Sequence, residues 1–361
     1  MKSTEQRPVW SRPLFNLNLK AWRRLESKYG RFTDRRLRTR IFIQGGLVSA
    51  IERCQELQYG KKIEALRLEG PVFILGHWRS GTTLLHEILA LDRQLGAPTT
   101  YQCLNPHSFL LSVDGLVHRG APIVRPAGDR LVSSASPQEE EFALLCRGAV
   151  SPYESVIFPS ALAQIVSLSD PREYSEPDRK IWEDILVSFL KGIAYKAKGK
   201  RLLLKSPSNS FRVSTLCRLF PDAVFVQIVR EPTAVVLSAV ESWQKTWARY
   251  ALSAESATAT IENLVIDEYL AMDAKVTESI RSLANRHAIT IRYEELVVSP
   301  YETIERIYGA LNLGKAEFLK APIDQLLKSS PPLRGARQPT PLQIATVRNR
   351  CEEIYTRYNY G

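Results

Sequence analysis

The stretch "PVFILGHWRSGTTLLHEILALD", residues 71–92, decides the fold class of this chain. Its first part, "PVFILG", is an unbroken apolar run between a proline and a glycine, which is typical of a strand buried on both faces. Its last part repeats leucine and isoleucine at helical spacing. The sequence therefore predicts a strand, a tight loop and a helix. The first turn of such a helix presents N–H groups and the positive end of its dipole to an anion.

The loop itself, "GHWRSGTT", is close to the phosphate loop of nucleotide triphosphatases but departs from it at one position. In that pattern a lysine follows the second glycine and reaches the terminal phosphates, and the next hydroxyl holds magnesium. Here Thr82 takes the place of the lysine, and the one cation of the loop is Arg79. Two other predicted strands end in Lys205 and Arg230 rather than in a carboxylate that could hold a metal. These cations indicate a nucleotide bound without a metal, so no metal site is predicted. For the loop taken alone, an ordinary strand-to-helix turn is the alternative.

The same order of elements returns further along the chain. "RLLLK" (201–205) and "AVFVQIV" (223–229) are predicted to be strands, each followed by a helix, and a further strand, "AITIRY" (288–293), precedes another helix. Alternating strands and helices predict an α/β fold with a parallel sheet flanked by helices. In such folds ligands bind at the carboxyl ends of the strands.

The chain shows no linker that would divide it into independent domains. Residues 1–70 are predicted to form a basic, helical N-terminal segment, and residues 71–361 the domain that carries the chemistry. Residues 95–200 are less regular and rich in proline, and we expect them to shape the site of the second substrate.

Positive charge is concentrated before the loop. The chain has a net charge of +11, and residues 1–70 hold 16 Lys/Arg but only 7 Asp/Glu. The run "DRRLRTR" (34–40) is suited to weak contact with an anionic membrane surface; nucleic acid is not expected, because no recognisable nucleic-acid module accompanies it. The simpler interpretation is a solvated helical face, with four core anchors on its flank: Trp22, Leu25, Leu37 and Ile41.

Cysteine usage and the N-terminus indicate where the protein resides. The five cysteines are scattered, with no Cys-x-x-Cys pair, so neither a disulfide framework nor a zinc site is predicted. The N-terminus lacks the apolar core of a signal peptide, and "IFIQGGLVSAI" (41–51) is too short to span a bilayer. We expect a soluble, cytoplasmic protein.

Three segments together resemble the sulfotransferase superfamily, and most closely its bacterial and tyrosylprotein-type branch. They are "PVFILGHWRSGTTLLHEIL", "LLLKSPSNSFRVSTLCRLFPDAVFVQIVREPTAVVLSAV" and "ITIRYEEL", in the order that the family has them. The resemblance implies a nucleotide fold related to that of phosphate-loop proteins. It also implies a donor substrate, 3′-phosphoadenylyl sulfate, which becomes adenosine 3′,5′-bisphosphate, and transfer of its sulfuryl group to a hydroxyl acceptor.

The resemblance also implies roles for individual residues. The loop for the 5′-phosphosulfate falls on Arg79, Ser80, Gly81, Thr82 and Thr83. The pair for the 3′-phosphate falls on Arg230 and Ser238, and the lysine that follows the middle strand falls on Lys205. Because negative charge grows on the bridging oxygen as the nucleotide leaves, we expect Arg79 and Lys205 to stabilise the transition state.

The general base that takes the proton of the acceptor is expected in "SPQEEEFALL" (136–145). Ser136, Pro137 and Glu139 spell a capping box, which assigns Glu139 to the start of a helix. Glu140 is therefore our prediction for the base, with Glu141 next. His107 is the competitor, whereas two other histidines are expected to pack or to hydrogen-bond locally: His77 and His86.

Several questions stay open at this point. The acceptor, whether a small molecule, glycan, lipid or peptide, is not specified by the donor motifs. A basic loop that closes over the nucleotide is expected near "PPLRGARQPT" (331–340), with Arg334 and Arg337 as candidates. The rival functions are a nucleotide-dependent kinase on the same scaffold and a nucleotide-binding protein without catalysis.

Overall fold

The computed structural model describes residues 15–112, 123–124, 131–253, 261–283, 287–329 and 338–360. Its centre is a five-stranded parallel sheet in the order β2-β5-β1-β6-β7, accompanied by a small antiparallel pair, β3 and β4. The strands are β1 (Val72–Leu75), β2 (Leu95–Gly96), β3 (Ile123–Val124), β4 (Leu131–Val132), β5 (Arg201–Lys205), β6 (Val224–Val229) and β7 (Ala288–Arg292). The predicted α/β fold with a parallel sheet flanked by helices is confirmed.

Strand β1 lies in the middle of the sheet, between β5 and β6. Ile74 pairs with Lys205 on one side and with Val226 on the other. The chain leaves β1 toward the edge strand β2, whereas β5 and β6 stand on opposite sides of β1. A crevice opens where strand order reverses in this way, at the carboxyl ends of the strands, and it is the usual ligand site of such sheets.

Helices cover both faces of the sheet. In the described ranges they are α1 (Leu19–Tyr29), α2 (Arg35–Glu64), α3 (Thr82–Leu89), α4 (Thr100–Leu104), α5 (Glu141–Cys146), α6 (Glu154–Ile157), α7 (Ile165–Ser169), α8 (Glu176–Lys196), α9 (Val213–Leu219), α10 (Pro232–Tyr250), α11 (Ile261–Arg281), α12 (Tyr293–Val298), α13 (Pro300–Leu311), α14 (Lys320–Ser329), α15 (Pro341–Arg350) and α16 (Glu352–Arg357). None of these described helices is both long enough and apolar enough to cross a membrane.

The strands are buried on both faces, as their unbroken apolar runs predict. Phe73 and Leu75 pack into one cluster with side chains of α8 and α9. Val72 and Ile74 point the other way and pack with side chains of α3 and α13. Alternate residues of β1 therefore serve two separate cores, which fixes the direction in which the loop after Leu75 leaves the sheet.

The two N-terminal helices join the rest of the molecule through one large apolar cluster. The four predicted anchors are each at most 1% exposed, which confirms them: Trp22, Leu25, Leu37 and Ile41. Helix α1 is also attached through the buried carboxylate of Glu154, which accepts hydrogen bonds from Arg24, Lys28 and Tyr29. The charged face of α1 is therefore partly a structural contact rather than a solvated surface.

The described elements between residues 95 and 173 are all short, as expected of an irregular stretch, and the 21-residue helix α8 follows them. One local prediction was wrong. The capping box does not form, because the helix begins only at Glu141 and the carbonyl of Ser136 is bonded to the backbone of Thr100. The N–H of Thr100 donates to the carbonyl of Ser136 at 2.8 Å, and Pro137 bridges to Thr99. Backbone pairing with a distant segment has overridden the local capping signal.

Candidate functional site

The loop between β1 and α3 has the backbone conformation that an anion-binding turn requires. Gly81 precedes the first residue of α3 with φ 104°, and Arg79 has φ 76°, both in the left-handed region. A Cβ atom on Gly81 would lie 2.3 Å from Cδ2 of Tyr293, so only glycine fits there. The N–H groups of the first turn of α3, beginning at Thr82, are therefore presented to the crevice.

Hydroxyl groups stabilise this loop from inside. Ser80 is buried and its Oγ donates to the carbonyl of His77 at 2.9 Å. The N–H of Gly76 donates to Oγ of Ser210 at 2.9 Å, which connects the loop to the turn after β5. Thr83 is half-buried and its Oγ1 lies 3.5 Å from the ammonium of Lys205. Of the predicted loop hydroxyls, Ser80 thus has an internal bond and Thr83 faces Lys205.

The predicted 3′-phosphate pair lies beside the loop arginine. Nε of Arg79 donates to Oγ of Ser238 at 2.9 Å, and Nη1 of Arg230 donates to the backbone carbonyl of Arg79 at 3.2 Å. The guanidinium of Arg230 stacks on the ring of Tyr293, with 4.4 Å between its Cζ and the ring centroid. Arg79 and the pair Arg230 and Ser238, which are about 150 residues apart in sequence, therefore converge at one edge of the crevice beside the ring of Tyr293.

Lys205 reaches the same crevice from the other side of β1. It is the last residue of β5, and its side chain is only 1% exposed. Its ammonium forms an ion pair with the carboxylate of Glu139, whose side chain is 13% exposed. A charge so deeply buried needs a partner, and Glu139 provides it.

Glu139 belongs to a chain of hydrogen bonds that starts in the loop. Nε1 of Trp78 donates to the hydroxyl of Tyr153 at 3.3 Å, and that hydroxyl donates to the carboxylate of Glu139. Glu139 in turn accepts from Lys205, which reaches Thr83 at the start of α3. The chain of contacts closes on the loop, so the carboxylate, the ammonium and the anion cradle are held together.

The carboxylates of Glu140 and Glu141 bond to other partners than the Lys205–Glu139 pair. Glu140 is fully buried and accepts from Nδ2 of Asn209. Burial raises the pKa of Glu140, although the hydrogen bond from Asn209 opposes this. Glu141 is equally buried and accepts from the guanidinium of Arg212 and from two serines, so it is part of a structural ion pair. Of the three consecutive glutamates, Glu139 is the one whose carboxylate is bonded to Lys205.

The histidines have structural partners. His107 lies against α2, with its Nδ1 3.1 Å from the carboxylate of Glu52 and its Nε2 3.0 Å from the carbonyl of Asn16. Burial raises the pKa of Glu52, but the interaction with His107, the hydrogen bond from Asn18 and the charge of Arg147 outweigh it and bring this pKa to about 2. His77 bonds locally, as predicted, with its Nδ1 2.7 Å from the Trp78 carbonyl, and also pairs with Glu268 of α11. His86, the last of the predicted histidines, is buried within α3.

A wall of aromatic side chains stands beside Glu139. The rings of Phe142 and Tyr153 are 4.8 Å apart, and Trp78 lies 6.5 Å from Tyr153. The ring centroid of Phe15 lies 6.0 Å from that of Phe142, and the ring centroid of Tyr250 lies 5.2 Å from that of Phe15. Because Trp78, Phe142, Phe15 and Tyr250 are only half-buried, this aromatic wall offers apolar surface next to the Lys205–Glu139 pair.

Sequence reasoning missed some members of this site. Tyr293 directly follows β7, so the rule that located Lys205 and Arg230 at strand ends also applies to it. Tyr153 and the partnership of Glu139 with Lys205 carried no such signal, because they depend on how the segment after β4 packs. Arg334 and Arg337, the candidates for a closing loop, lie outside the described residues.

Comparison with known proteins shows the family of this chain. Residues 71–317 match the model of the sulfotransferase family. The chain is 30% identical, over 97% of its length and 92% of the relative, to the omega-hydroxy-beta-dihydromenaquinone-9 sulfotransferase Stf3 of Mycobacterium tuberculosis. The solved structures of sulfotransferase STF1 from M. tuberculosis H37Rv and of STF9 from Mycobacterium avium share its fold. The STF1 structure has a TM-score of 0.62 and is 18% identical, and the match covers 92% of this chain and 92% of STF1. The STF9 structure has a TM-score of 0.64 and is 17% identical, and the match covers 96% of this chain and 88% of STF9. The chain belongs to the sulfotransferase family.

Proposed function

We propose that this protein moves a sulfuryl group from 3′-phosphoadenylyl sulfate to a hydroxyl acceptor by in-line displacement, without a metal ion. The observation that carries the proposal is the set of cations around the loop. Arg79 lies within the loop, and Lys205 and Arg230 end the strands on either side of β1. A ligand with anionic groups at both of its ends matches this distribution of positive charge.

The donor would be held at two places. Arg230, supported on the ring of Tyr293, has five N–H donors and uses one of them on the carbonyl of Arg79. Its remaining donors, with the hydroxyl of Ser238, suit a 3′-phosphate. The N–H groups at the start of α3 suit the 5′-phosphosulfate. The residues proposed for that second place are Arg79, Ser80, Gly81, Thr82 and Thr83.

The chemistry assigns a role to each side of the Lys205–Glu139 pair. The donor supplies a sulfuryl group whose bond to the 5′-phosphate oxygen breaks as its sulfur bonds to the acceptor oxygen. Lys205, with Arg79, stabilises the charge that this phosphate oxygen gains. Glu139 takes the proton that the acceptor hydroxyl loses. We therefore move the proposed base from Glu140 to Glu139, because the latter contacts Lys205 and retains an accessible edge.

The ion pair also links donor binding to the availability of the base. Before the donor arrives, the carboxylate of Glu139 accepts hydrogen bonds from the ammonium of Lys205 and the hydroxyl of Tyr153. When Lys205 turns toward the anionic donor, the carboxylate of Glu139 becomes available to the hydroxyl of the acceptor. The enzyme thus gains its base when the donor is in position.

We propose an acceptor that carries its hydroxyl on a large apolar body. The aromatic wall stands next to Glu139, and its half-buried rings offer apolar contact rather than the hydrogen-bond partners that a sugar needs. The relative at 30% identity is named for a hydroxylated menaquinone, which is consistent with this chemistry.

The donor assignment is tested by calorimetry with adenosine 3′,5′-bisphosphate in the presence of a metal chelator. We expect binding to persist without magnesium, and Arg230→Ala to weaken it by roughly 2–3 kcal/mol because a charge-paired phosphate is lost. Adenosine 5′-phosphate is the matched control, since the same variant should bind it nearly as the wild type does. Tight binding of ATP that requires magnesium and ignores the 3′-phosphate would support the kinase instead.

The acceptor class is tested with radiolabelled 3′-phosphoadenylyl sulfate. We expect transfer to dodecanol and farnesol, and little transfer to glucose or to a tyrosine peptide. Donor binding without transfer to any of the four would favour the binding protein without catalysis.

A further inference from the structure

Helix α2 presents an apolar stripe to solvent. The stripe consists of Ile43, Leu47, Ala50, Ile51, Cys54 and Leu57. Ile43, Leu47 and Leu57 are 61%, 63% and 73% exposed, which is unusual for side chains of this size in one row. Ile43, Leu47, Ile51, Cys54 and Leu57 follow one another at intervals of three or four residues, so they lie on one face over roughly 21 Å of helix.

The opposite face of the same helix already has its partners. Leu37, Ile41 and Gly45 are buried, and Gly45 packs against the ring of Trp22. Gln55 bonds to the segment after α4, where it donates to the carbonyl of Pro106. The apolar stripe is therefore a second apolar face, which packing against the described residues does not explain.

Basic residues stand at both ends of the apolar stripe. Arg36 and Arg40 precede it, and Lys61 and Lys62 follow it, and all four are exposed. Two acidic side chains of the same part of α2 are paired with basic ones: Glu52 with His107 and Glu56 with Arg53 of the same helix. The face as a whole is apolar in its middle and cationic at its ends.

We propose that the apolar stripe of α2 lies on an anionic lipid bilayer, with its helix in the plane of the interface. Apolar side chains on one helical face, accompanied by Lys and Arg, are what binding to such an interface requires. Each basic residue near an anionic leaflet adds to the attraction, within a Debye length of the surface. This contact is independent of the proposed reaction, because α2 lies outside the site around Lys205.

The charges argue against a second copy of this chain as the occupant. In a parallel pair of α2 helices the arginines at the N-terminal end would face each other. In an antiparallel pair they would approach Lys61 and Lys62 of the other copy. Both arrangements bring like charges together, whereas an anionic bilayer meets both ends favourably.

The test is co-sedimentation of the full chain with vesicles. We expect binding to vesicles of equal parts phosphatidylcholine and phosphatidylglycerol, weak binding to phosphatidylcholine alone, and loss of binding as NaCl is raised. Replacing Ile43 and Leu47 together with Gln should weaken the binding about tenfold or more, because both apolar anchors leave the interface. Replacing Arg36 and Arg40 with Gln should weaken it several-fold and reduce its salt dependence.

Val298→Gln is the matched control, since Val298 is 81% exposed and lies on another helix, α12. It should leave vesicle binding unchanged. Circular dichroism and nucleotide binding check that each variant is folded. The proposal is overturned if the wild type ignores anionic vesicles, or if it sediments as a dimer that the Ile43/Leu47 variant dissociates.

Discussion

Glu139→Gln is the substitution that tests the proposed chemistry most directly. The change keeps the size of the side chain and lets the amide oxygen still accept from the hydroxyl of Tyr153 or from Lys205. The fold should therefore survive, whereas the ability to take a proton is lost. A positioned general base contributes about 10²–10⁴-fold to a rate, so we expect turnover to fall by about three orders of magnitude, or roughly 4 kcal/mol.

Donor binding should respond in the opposite sense. In the free enzyme the ammonium of Lys205 is paired with Glu139 and is almost completely buried. Replacing the carboxylate with an amide releases this charge for the donor. Affinity for adenosine 3′,5′-bisphosphate should therefore be unchanged or somewhat higher, which separates this variant from one that merely damages the site.

The assay measures single-turnover transfer from radiolabelled 3′-phosphoadenylyl sulfate to dodecanol, with calorimetry of the nucleotide product alongside. Glu140→Gln is the matched control, because it makes the same change one residue on, at a fully buried carboxylate bonded to Asn209. We expect it to keep turnover within about a factor of five, as for a residue outside the reacting groups. If Glu140→Gln is inactive and Glu139→Gln keeps the wild-type rate, the base is Glu140 and the argument from Lys205 contact is refuted.

The remaining predictions concern catalysis, the N-terminal helices and pH. Lys205→Met should lower turnover by about 10²–10³ while donor binding changes little, as for loss of one transition-state donor; equal losses in both would make Lys205 a binding residue. Glu154→Gln should lower the free energy of unfolding by about 3 kcal/mol in urea, because it removes the carboxylate that Arg24, Lys28 and Tyr29 share; an unchanged midpoint would show that α1 is held by apolar packing alone. Because the folded pKa of Glu52 is about 2 and its ordinary value is 4.5, the unfolded chain binds more protons between these values. The contribution of ionised Glu52 to the free energy of unfolding, about 3 kcal/mol, should be complete above about pH 5 and lost as the pH falls toward 2. Glu52→Gln should therefore flatten the fall in melting temperature over that range.

The fold was largely predictable because its signals are local and periodic. The apolar run 72–75, the glycines of the loop and the leucines of α3 specify a strand, a turn and a helix within about twenty residues. Repetition of this unit at 201–205 and 224–229 then predicts a parallel sheet. The two-residue edge strand Leu95–Gly96 was not predicted, because no such pattern marks so short a strand.

The cations of the site could also be predicted, because of how parallel sheets are built. Lys205 is the last residue of one strand and Arg230 directly follows another, and parallel strands bring their carboxyl ends to one edge. The contact of Arg230 with Arg79, and that of Lys205 with Thr83, could be expected without knowledge of the intervening chain. Tyr293 also directly follows a strand, but it was not predicted because the prediction rested on charged residues at strand ends.

The identity of the proposed base was decided by tertiary structure. "SPQEEE" read alone favours a helix start at Ser136, which would leave Glu140 for chemistry. In the folded chain Ser136 and Pro137 pair with the backbone near Thr100 instead, and the helix begins five residues later than Ser136, at Glu141. That shift turns Glu139 toward Lys205. The sequence by itself determined which strands end in cations, since that depends on order along the chain. Only the tertiary structure decided which carboxylate contacts Lys205, because the pairing of residues 136–137 with the distant backbone near Thr100 delays the helix and leaves Glu139 before its start.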